Sequence, residues 1–356
     1  MDSVTQMLFG AVVGQAGFRK RLGRKAMVAG AAIAFLPDLD VIAGWSGGTF
    51  AAWEHHRGLT HSLFFGPVAG PLLGWMIWRF ERWRRQRRDG AAADDDTLRP
   101  WVWLSILALL THPLIDLFTS YGTQLLWPLT TTRFAIDSMP IIEPVYSLAL
   151  LIAVVIGSLA RTRPTLAQDV AGAALLFVGV YTCIGWALNE HVVGVARADF
   201  GRPAEVSAYP LLFQPYYRRV VAFTPEAAYV GYYTVIAPGP IDWQRFPIEA
   251  TPAVAAVRGT REGALFDWFA MDKVLWRPLP DGSGGTTVVG TDLRYGMMGA
   301  TNTGNWGLRA RVDGAGAPSG AIQAFTVPRE VSGAAFRRYW AAITGADREQ
   351  LRMVRN

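Results

Sequence analysis

Five long apolar stretches constrain this chain more than any other feature: about 26–43, 63–80, 101–118, 145–160 and 169–188. A bilayer crossing takes roughly 20 mainly apolar residues, with about 17 as a lower limit. The stretch 145–160 is short, but Ile141 and Ile142 extend it. A sixth segment, Val4–Phe18, is short and glycine-rich and reads as a span or a re-entrant piece. No basic residue precedes it, so a secretory signal is not expected. Trp101–Leu110 and Leu148–Leu159 carry no charge and no amphipathic stripe, unlike surface helices of a soluble protein. Composition agrees: 51% of residues are hydrophobic and 17% charged, against about one quarter charged in a typical soluble domain.

The net charge of +6 comes with a pattern. Arg19, Lys20, Arg21, Arg24 and Lys25 follow the first segment. Arg79, Arg82, Arg84, Arg85, Arg87 and Arg88 end the third. Arg161 and Arg163 separate the last two. If each segment crosses once, all these loops share one side, which the positive-inside rule makes cytoplasmic. The basic balance therefore reads as topology, and no nucleic-acid partner is expected. Membrane lipids are the expected surroundings. The expected location is the bacterial inner membrane, with Gly44–Thr60, Thr119–Glu143 and everything after Leu188 on the periplasmic side. Gln86–Arg99 reads as a flexible loop. A lone Cys183 excludes an intrachain disulfide and a cysteine-rich metal site.

After about residue 189 the long apolar runs stop. Short β-like runs appear at Arg219–Phe223, Tyr229–Ile236, Thr286–Leu293 and Ala321–Val327, separated by turn signals such as Pro238-Gly239-Pro240 and Asp281–Gly285. Glu262–Val274 reads as a short helix or a helix–strand junction. The expected fold is an α-helical integral membrane domain over 1–188, with five or six transmembrane helices, followed by a soluble α+β or mostly β C-terminal domain over 189–356.

Three polar islands interrupt the apolar segments: Pro37-Asp38-Leu39-Asp40, His55–Ser62 and Thr111–Asp116. The inferred topology puts all three at one membrane face. A carboxylate or imidazole in or near hydrocarbon is costly unless paired or coordinated, and binding one cation would relieve all of them together. His112 and Asp116, at i and i+4, share a helical face. Asp38 and Asp40 are two apart at a helix end marked by Pro37, and His56 and His61 flank Gly58, which permits a tight bend. Imidazole with carboxylate suits zinc, manganese or iron better than calcium. Zinc or manganese is the leading expectation. Six candidate ligands exceed what a single zinc uses, so one or two ions are expected.

These islands, with His112-Pro113-Leu114-Ile115-Asp116 running on to Gln124-Leu125-Leu126-Trp127-Pro128, resemble the membrane-bound metal-dependent hydrolases, the YdjM-like inner-membrane group, whose label is sometimes joined to LexA binding. The opening Met1–Gln6 and Pro140–Pro144 resemble it too. The resemblance covers roughly residues 1–150. It implies a metal site built from Asp38, Asp40, His56, His61, His112 and Asp116. Gln6 stands where some relatives carry histidine, and Glu143 stands at an often acidic position. The implied activity is hydrolysis by a metal-activated water, with Glu143, or a carboxylate released from coordination, moving protons and Arg57 holding a substrate phosphate or carboxylate. Thr60 and Ser62 would orient ligands, and Tyr121, Gln124 and Trp127 would line the site. A lipid or lipid-linked phosphoester is the expected substrate class. An ion or solute transporter, and a non-enzymatic scaffold with a structural metal, are the alternatives. Asp292-Leu293-Arg294-Tyr295 reads as a strand end with an ion pair.

Overall fold

The computed structural model of the protein describes residues 1–89, 95–281, 285–296, 304–327 and 332–346. The chain forms two compact units. The first comprises Met1–Ser46, His55–Ile136 and Ile141–Ile184, and the second Gly47–Glu54, Asp137–Pro140 and Gly185–Asn356.

The first unit is helical: α1 (Ser3–Leu22), α2 (Lys25–Phe35), α4 (Phe65–Asp89), α5 (Leu98–Asp116), α6 (Pro144–Leu159) and the first part of α7 (Pro164–Phe200). Between α2 and α3 (Ile42–His55) lies a 3-10 turn, Leu36–Val41, with Pro37 at its start. All six apolar segments of the sequence are thus largely helical. Among the described residues, however, only three stretches are long and apolar enough to cross a membrane: Lys25–His55, Leu98–Asp116 and Pro164–Phe200. This is fewer than the five or six expected, and the reasons are physical. Helix α6 has 16 residues, about 24 Å at 1.5 Å per residue against a hydrocarbon core of about 30 Å. Helix α4 runs into Arg79–Arg88, so its apolar part is short. Helix α1 buries Gln6, Gln15 and Arg19 along its length.

Inside the unit buried polar side chains sit among apolar clusters, and much of its outside is apolar. Gln15 Nε2 donates to Ala153 O (3.1 Å) and Ala167 O (2.6 Å), and Arg19 Nη2 donates to Gly157 O (3.3 Å). Leu148, Leu151, Ile152 and Val155 on α6, and Leu176, Phe177 and Val180 on α7, are exposed. Apolar surface of this extent is expected in lipid, where interhelical contacts use small residues and polar glue. Helices α1 and α2 approach very closely: a Cβ on Gly30 would lie 2.1 Å from Gly10 O, and one on Gly14 2.1 Å from Ala26 O. Gly30→Val should therefore force the pair apart. We expect a loss of about 1–3 kcal/mol or more, read as a lower thermal midpoint of the detergent-solubilised protein; an unchanged midpoint would contradict this packing.

The flexible loop expected over Gln86–Arg99 is shorter than that. Helix α4 continues to Asp89, a 3-10 turn occupies Asp95–Thr97 and α5 begins at Leu98; residues 90–94 lie outside the described residues.

The second unit carries two four-stranded antiparallel sheets, each a simple meander. One contains β1 (Glu205–Pro210), β2 (Tyr217–Phe223), β3 (Ala227–Thr234) and β4 (Gln244–Pro247), the other β5 (Val274–Pro280), β6 (Thr286–Asp292), β7 (Trp306–Val312) and β8 (Pro318–Thr326). Helices α8 (Pro252–Arg258) and α9 (Arg261–Phe269) join them, and α10 (Gly333–Thr344) follows. One face of the first sheet packs on Val192, Val193 and Ala196 of α7. Its other face meets Leu275 of β5 and Leu293, which directly follows β6. Each β-like run read from the sequence coincides with or overlaps a strand, and Glu262–Val274 is indeed a helix leading into β5. The turn at Asp281–Gly285 lies partly outside the described residues.

Candidate metal centre

The three polar islands converge within the first unit. Asp38 and Asp40 sit on the 3-10 turn, whose tighter winding follows Pro37. His56 and His61 come from the segment between α3 and α4, and His112 and Asp116 from the last turns of α5. The bend that returns His61 to the cluster lies at Arg57, whose φ of 61° is left-handed. Gly58, expected from the sequence, shares the bend: its φ of −96° and ψ of −121° are irregular, and a Cβ there would lie 2.9 Å from His55 O. Arg57, a bulky residue held at positive φ, carries strain that the surrounding contacts must offset.

Two imidazole nitrogens and two carboxylate oxygens face one another at the centre. His112 Nε2 lies 3.2 Å from Asp38 Oδ1 and 3.6 Å from Asp116 Oδ2. His61 Nε2 lies 3.7 Å from Asp38 Oδ1 and 3.4 Å from Asp116 Oδ2. Both histidines are fully buried, and neither Nε2 makes a hydrogen bond among the described residues.

The opposite ring nitrogens explain why. His112 Nδ1 lies 2.6 Å from Ala34 O, an acceptor, so Nδ1 carries the proton. His61 Nδ1 lies 3.1 Å from Asp40 Oδ2. A ring protonated only at Nδ1 aims the Nε2 lone pair at carboxylate oxygens, an arrangement that is repulsive unless positive charge, a proton or a metal ion, lies between them. Metal-binding histidines are oriented in this same way, by a carbonyl or carboxylate on the second nitrogen. Ligands about 2.0–2.1 Å from a tetrahedral ion sit roughly 3.3–3.4 Å apart, close to the four separations above. Asp38, His61 and His112 each place one donor atom within 4.8 Å of the others. The donor set fits a divalent cation.

For His61, burial alone works to lower the pKa, but the neighbouring carboxylates of Asp38, Asp40 and Asp116 outweigh it and hold the imidazole above its usual value. The centre thus attracts positive charge, whether proton or metal.

The other expected site residues surround this core. Asp40 accepts from Thr60 Oγ1 (3.0 Å) and from the Arg57 backbone N–H (3.1 Å). Its Oδ1 lies 2.6 Å from His56 Nδ1. Asp40 and His56 therefore form an outer pair that steadies His61. Burial is the main influence on His56 and lowers its pKa, partly opposed by Asp40. Ser62 is buried beside His61. Arg57 is also buried; its Nε lies 3.2 Å from Asp116 Oδ2 and its Nη1 donates to Thr119 Oγ1 (2.9 Å). Arg57 Cζ lies over the Tyr121 ring, 4.8 Å from its centroid, and the His56 ring meets Tyr121 edge to face at 5.3 Å. The Gln124 backbone N–H donates to Arg57 O (2.9 Å), and the Trp127 N–H to Gln124 O (3.1 Å).

Glu143 is placed differently. It caps the N-terminus of α6, accepting from Tyr146 N (2.5 Å) and from Tyr181 Oη (3.1 Å). Burial raises its pKa, against the lowering effect of those bonds. Its contacts are with α6 and α7 rather than with the His–Asp core.

Several contributors were given no role from the sequence, although Met1 and Ser3 lie in the opening stretch that resembles the family. Ser3 Oγ donates to Asp38 Oδ2 (2.6 Å), Ala34 supplies a carbonyl, and Arg133 lies over Tyr121 (5.2 Å) and donates to Gly122 O (2.9 Å). The Met1 ammonium pairs with Asp116. None belongs to a spaced motif; only helix packing brings them in. Gln6, noted as a polar neighbour, donates to Asp116 Oδ1 (3.1 Å).

Fold and site define a helical membrane protein with a buried histidine–carboxylate cluster suited to a divalent metal. The chain belongs to the YdjM inner membrane protein family, whose model matches residues 1–192 and so includes every residue of the cluster. It is 37% identical over 110 residues to the inner membrane protein YbcI of Escherichia coli (strain K12), covering 30% of this chain and 56% of that one. It is 24% identical over 166 residues to the uncharacterized protein YfhP of Bacillus subtilis (strain 168), covering 44% and 46%. The chain thus spans about half the length of the curated relatives it matches. No solved structure matches it.

Proposed function

We propose that the protein is a metal-dependent hydrolase of the inner membrane, acting at its outer face on a lipid or lipid-linked phosphoester. The observation that carries this reading is the pair of buried Nε2 atoms, on His61 and His112, aimed at Asp38 and Asp116 without a hydrogen bond. Asp38, His61 and His112 would hold the ion, and the nitrogen and oxygen donors favour zinc or manganese. When bound, such an ion supplies a Lewis acid that polarises a substrate oxygen and acidifies a water.

The chain's own groups have separable tasks. Asp40 fixes the His61 ring and its tautomer. Asp116 Oδ2 faces both imidazoles and is paired with Arg57 and the Met1 ammonium, so it would supply negative charge beside the ion. Arg57 touches Asp116 directly and acts through it, a positioning role rather than a free clamp for substrate. Glu143, on its helix cap, supports the loop before α6. The outer-face assignment rests on the basic loops after α1, α4 and α6 and requires all six apolar segments to cross, the shorter ones α1, α4 and α6 included. A periplasm-dependent reporter enzyme fused after Asn356 should be active, and a reporter active only in the cytoplasm would reverse the orientation.

A second reading, a metal that only staples helices, draws on the complete burial of both histidines. One assay separates the two. Protein stripped by a chelator and reloaded with zinc or manganese is mixed with phospholipid and lipid-phosphate substrates. Hydrolysis that vanishes on stripping and returns on reloading supports the enzyme. Loss of thermal stability on stripping, with no hydrolysis from the loaded form, supports the staple and overturns our reading.

A further inference from the structure

Helix α10 uses only part of its apolar face. Phe336, Tyr339, Trp340 and Ile343 are spaced i, i+3, i+4 and i+7, which puts them on one side of the helix. Tyr339 and Ile343 are committed to the first sheet. Tyr339 Oη donates to Leu212 O (2.6 Å) and accepts from Gln214 Nε2 (2.8 Å). Ile343 is buried, and its carbonyl accepts from Thr234 Oγ1 (2.7 Å). Phe336 and Trp340 remain 60% and 57% exposed.

The segments that anchor α10 carry exposed apolar side chains of their own. Phe213, between Leu212 and Gln214, is 44% exposed and has a φ of 71°. A phenylalanine held in the left-handed region and turned outward is an unfavourable local choice, of the kind retained where it serves a contact. Ile236, two residues beyond Thr234, is 56% exposed. Arg337 and Arg338 are exposed, and α10 contains no acidic residue.

We propose that this aromatic patch docks on an anionic lipid surface, that of the membrane the chain itself crosses. Three observations favour lipid over another protein. Tryptophan and phenylalanine beside arginine is the composition of helices that lie in the headgroup region. The two arginines, with no carboxylate on the helix, complement anionic headgroups. The unit that carries α10 includes the end of α7, a helix long and apolar enough to span a bilayer, so the tether keeps a lipid surface at high local concentration. The patch is separate from the His–Asp centre, and the proposal does not depend on the hydrolase reading.

The test uses the full chain in nanodiscs of phosphatidylethanolamine and phosphatidylglycerol. Cys183→Ser removes the native thiol, and Trp340→Cys or, independently, Phe336→Cys takes a nitroxide label. A label at Ser319, exposed on β8, serves as the aqueous reference. Docking predicts a several-fold higher ratio of oxygen to nickel-chelate collisions at 340 and 336 than at 319. Arg337→Glu with Arg338→Glu, or replacement of phosphatidylglycerol by phosphatidylcholine, should move the ratio toward the reference. A ratio equal to the reference at both positions overturns the proposal. Labels shielded from both reagents alike, with spin–spin broadening between copies, would assign the patch to a second copy of the chain and overturn it equally.

Discussion

Alanine at His61 or His112 is expected to leave the purified protein with almost no bound divalent metal. Each substitution removes one of the two nitrogen donors that face the centre. The remaining substitutions should rank by geometry. Asp38→Ala should behave like the histidine variants, since Asp38 Oδ1 lies 3.2 Å from His112 Nε2. Asp40→Ala removes only the partner of His61 Nδ1 and should weaken affinity by about 10–100-fold, the usual effect of losing an orienting carboxylate. His56→Ala should cost less still, because His56 meets Asp40 and not the central atoms. Glu143→Ala should keep full metal content, whatever it does to the cap of α6. Elemental analysis of the variants reads all of this directly. Full occupancy in both histidine variants would remove the centre from consideration.

The largest effect on stability is expected in the second unit, at Arg294. Its guanidinium and Asp292 are buried side by side, with Nη2 2.7 Å from Oδ2 and Nε 3.0 Å from Oδ1, and Nη2 also donates to Phe269 O (3.0 Å). Removing the arginine strands a buried carboxylate. Breaking such a pair costs about 3–5 kcal/mol, whereas replacing both partners by apolar groups costs much less. Arg294→Leu should therefore lower the denaturant midpoint of the β-rich unit substantially, and Asp292→Leu added to it should recover part of the loss. Tryptophan fluorescence during unfolding of the full chain provides the readout. Equal midpoints for wild type and Arg294→Leu would show that the pair contributes little.

The metal centre was partly legible because its donors sit in short motifs whose local geometry is dictated by spacing. The i, i+4 separation of His112 and Asp116 put them on one face, and their Nε2 and Oδ2 atoms are 3.6 Å apart. Spacing could not rank the six donors. Asp40 and His56 look equivalent to Asp38 and His61 in the sequence, yet the 3-10 turn directs Asp38 toward His112 and Asp40 toward His56 and His61. Adjacent carboxylates acquire different tasks from a rotation of the backbone that composition does not encode.

The same division holds for the fold. Apolar runs without charge dictate helices that a membrane can accept, because hydrocarbon demands that backbone hydrogen bonds be closed within each segment. Alternating runs between turn residues dictated the strands after residue 189. How many helices are long enough to cross was settled by where each one stops, at the arginines of α4 or after the 16 residues of α6. Which glycines let α1 and α2 touch, which carbonyl orients His112 and which side of α10 stays open depend on neighbours remote in the chain. Hydrophobicity and local spacing are properties of a segment and can be read from it alone. A coordination shell is a property of several segments at once, and only their packing gives it a shape.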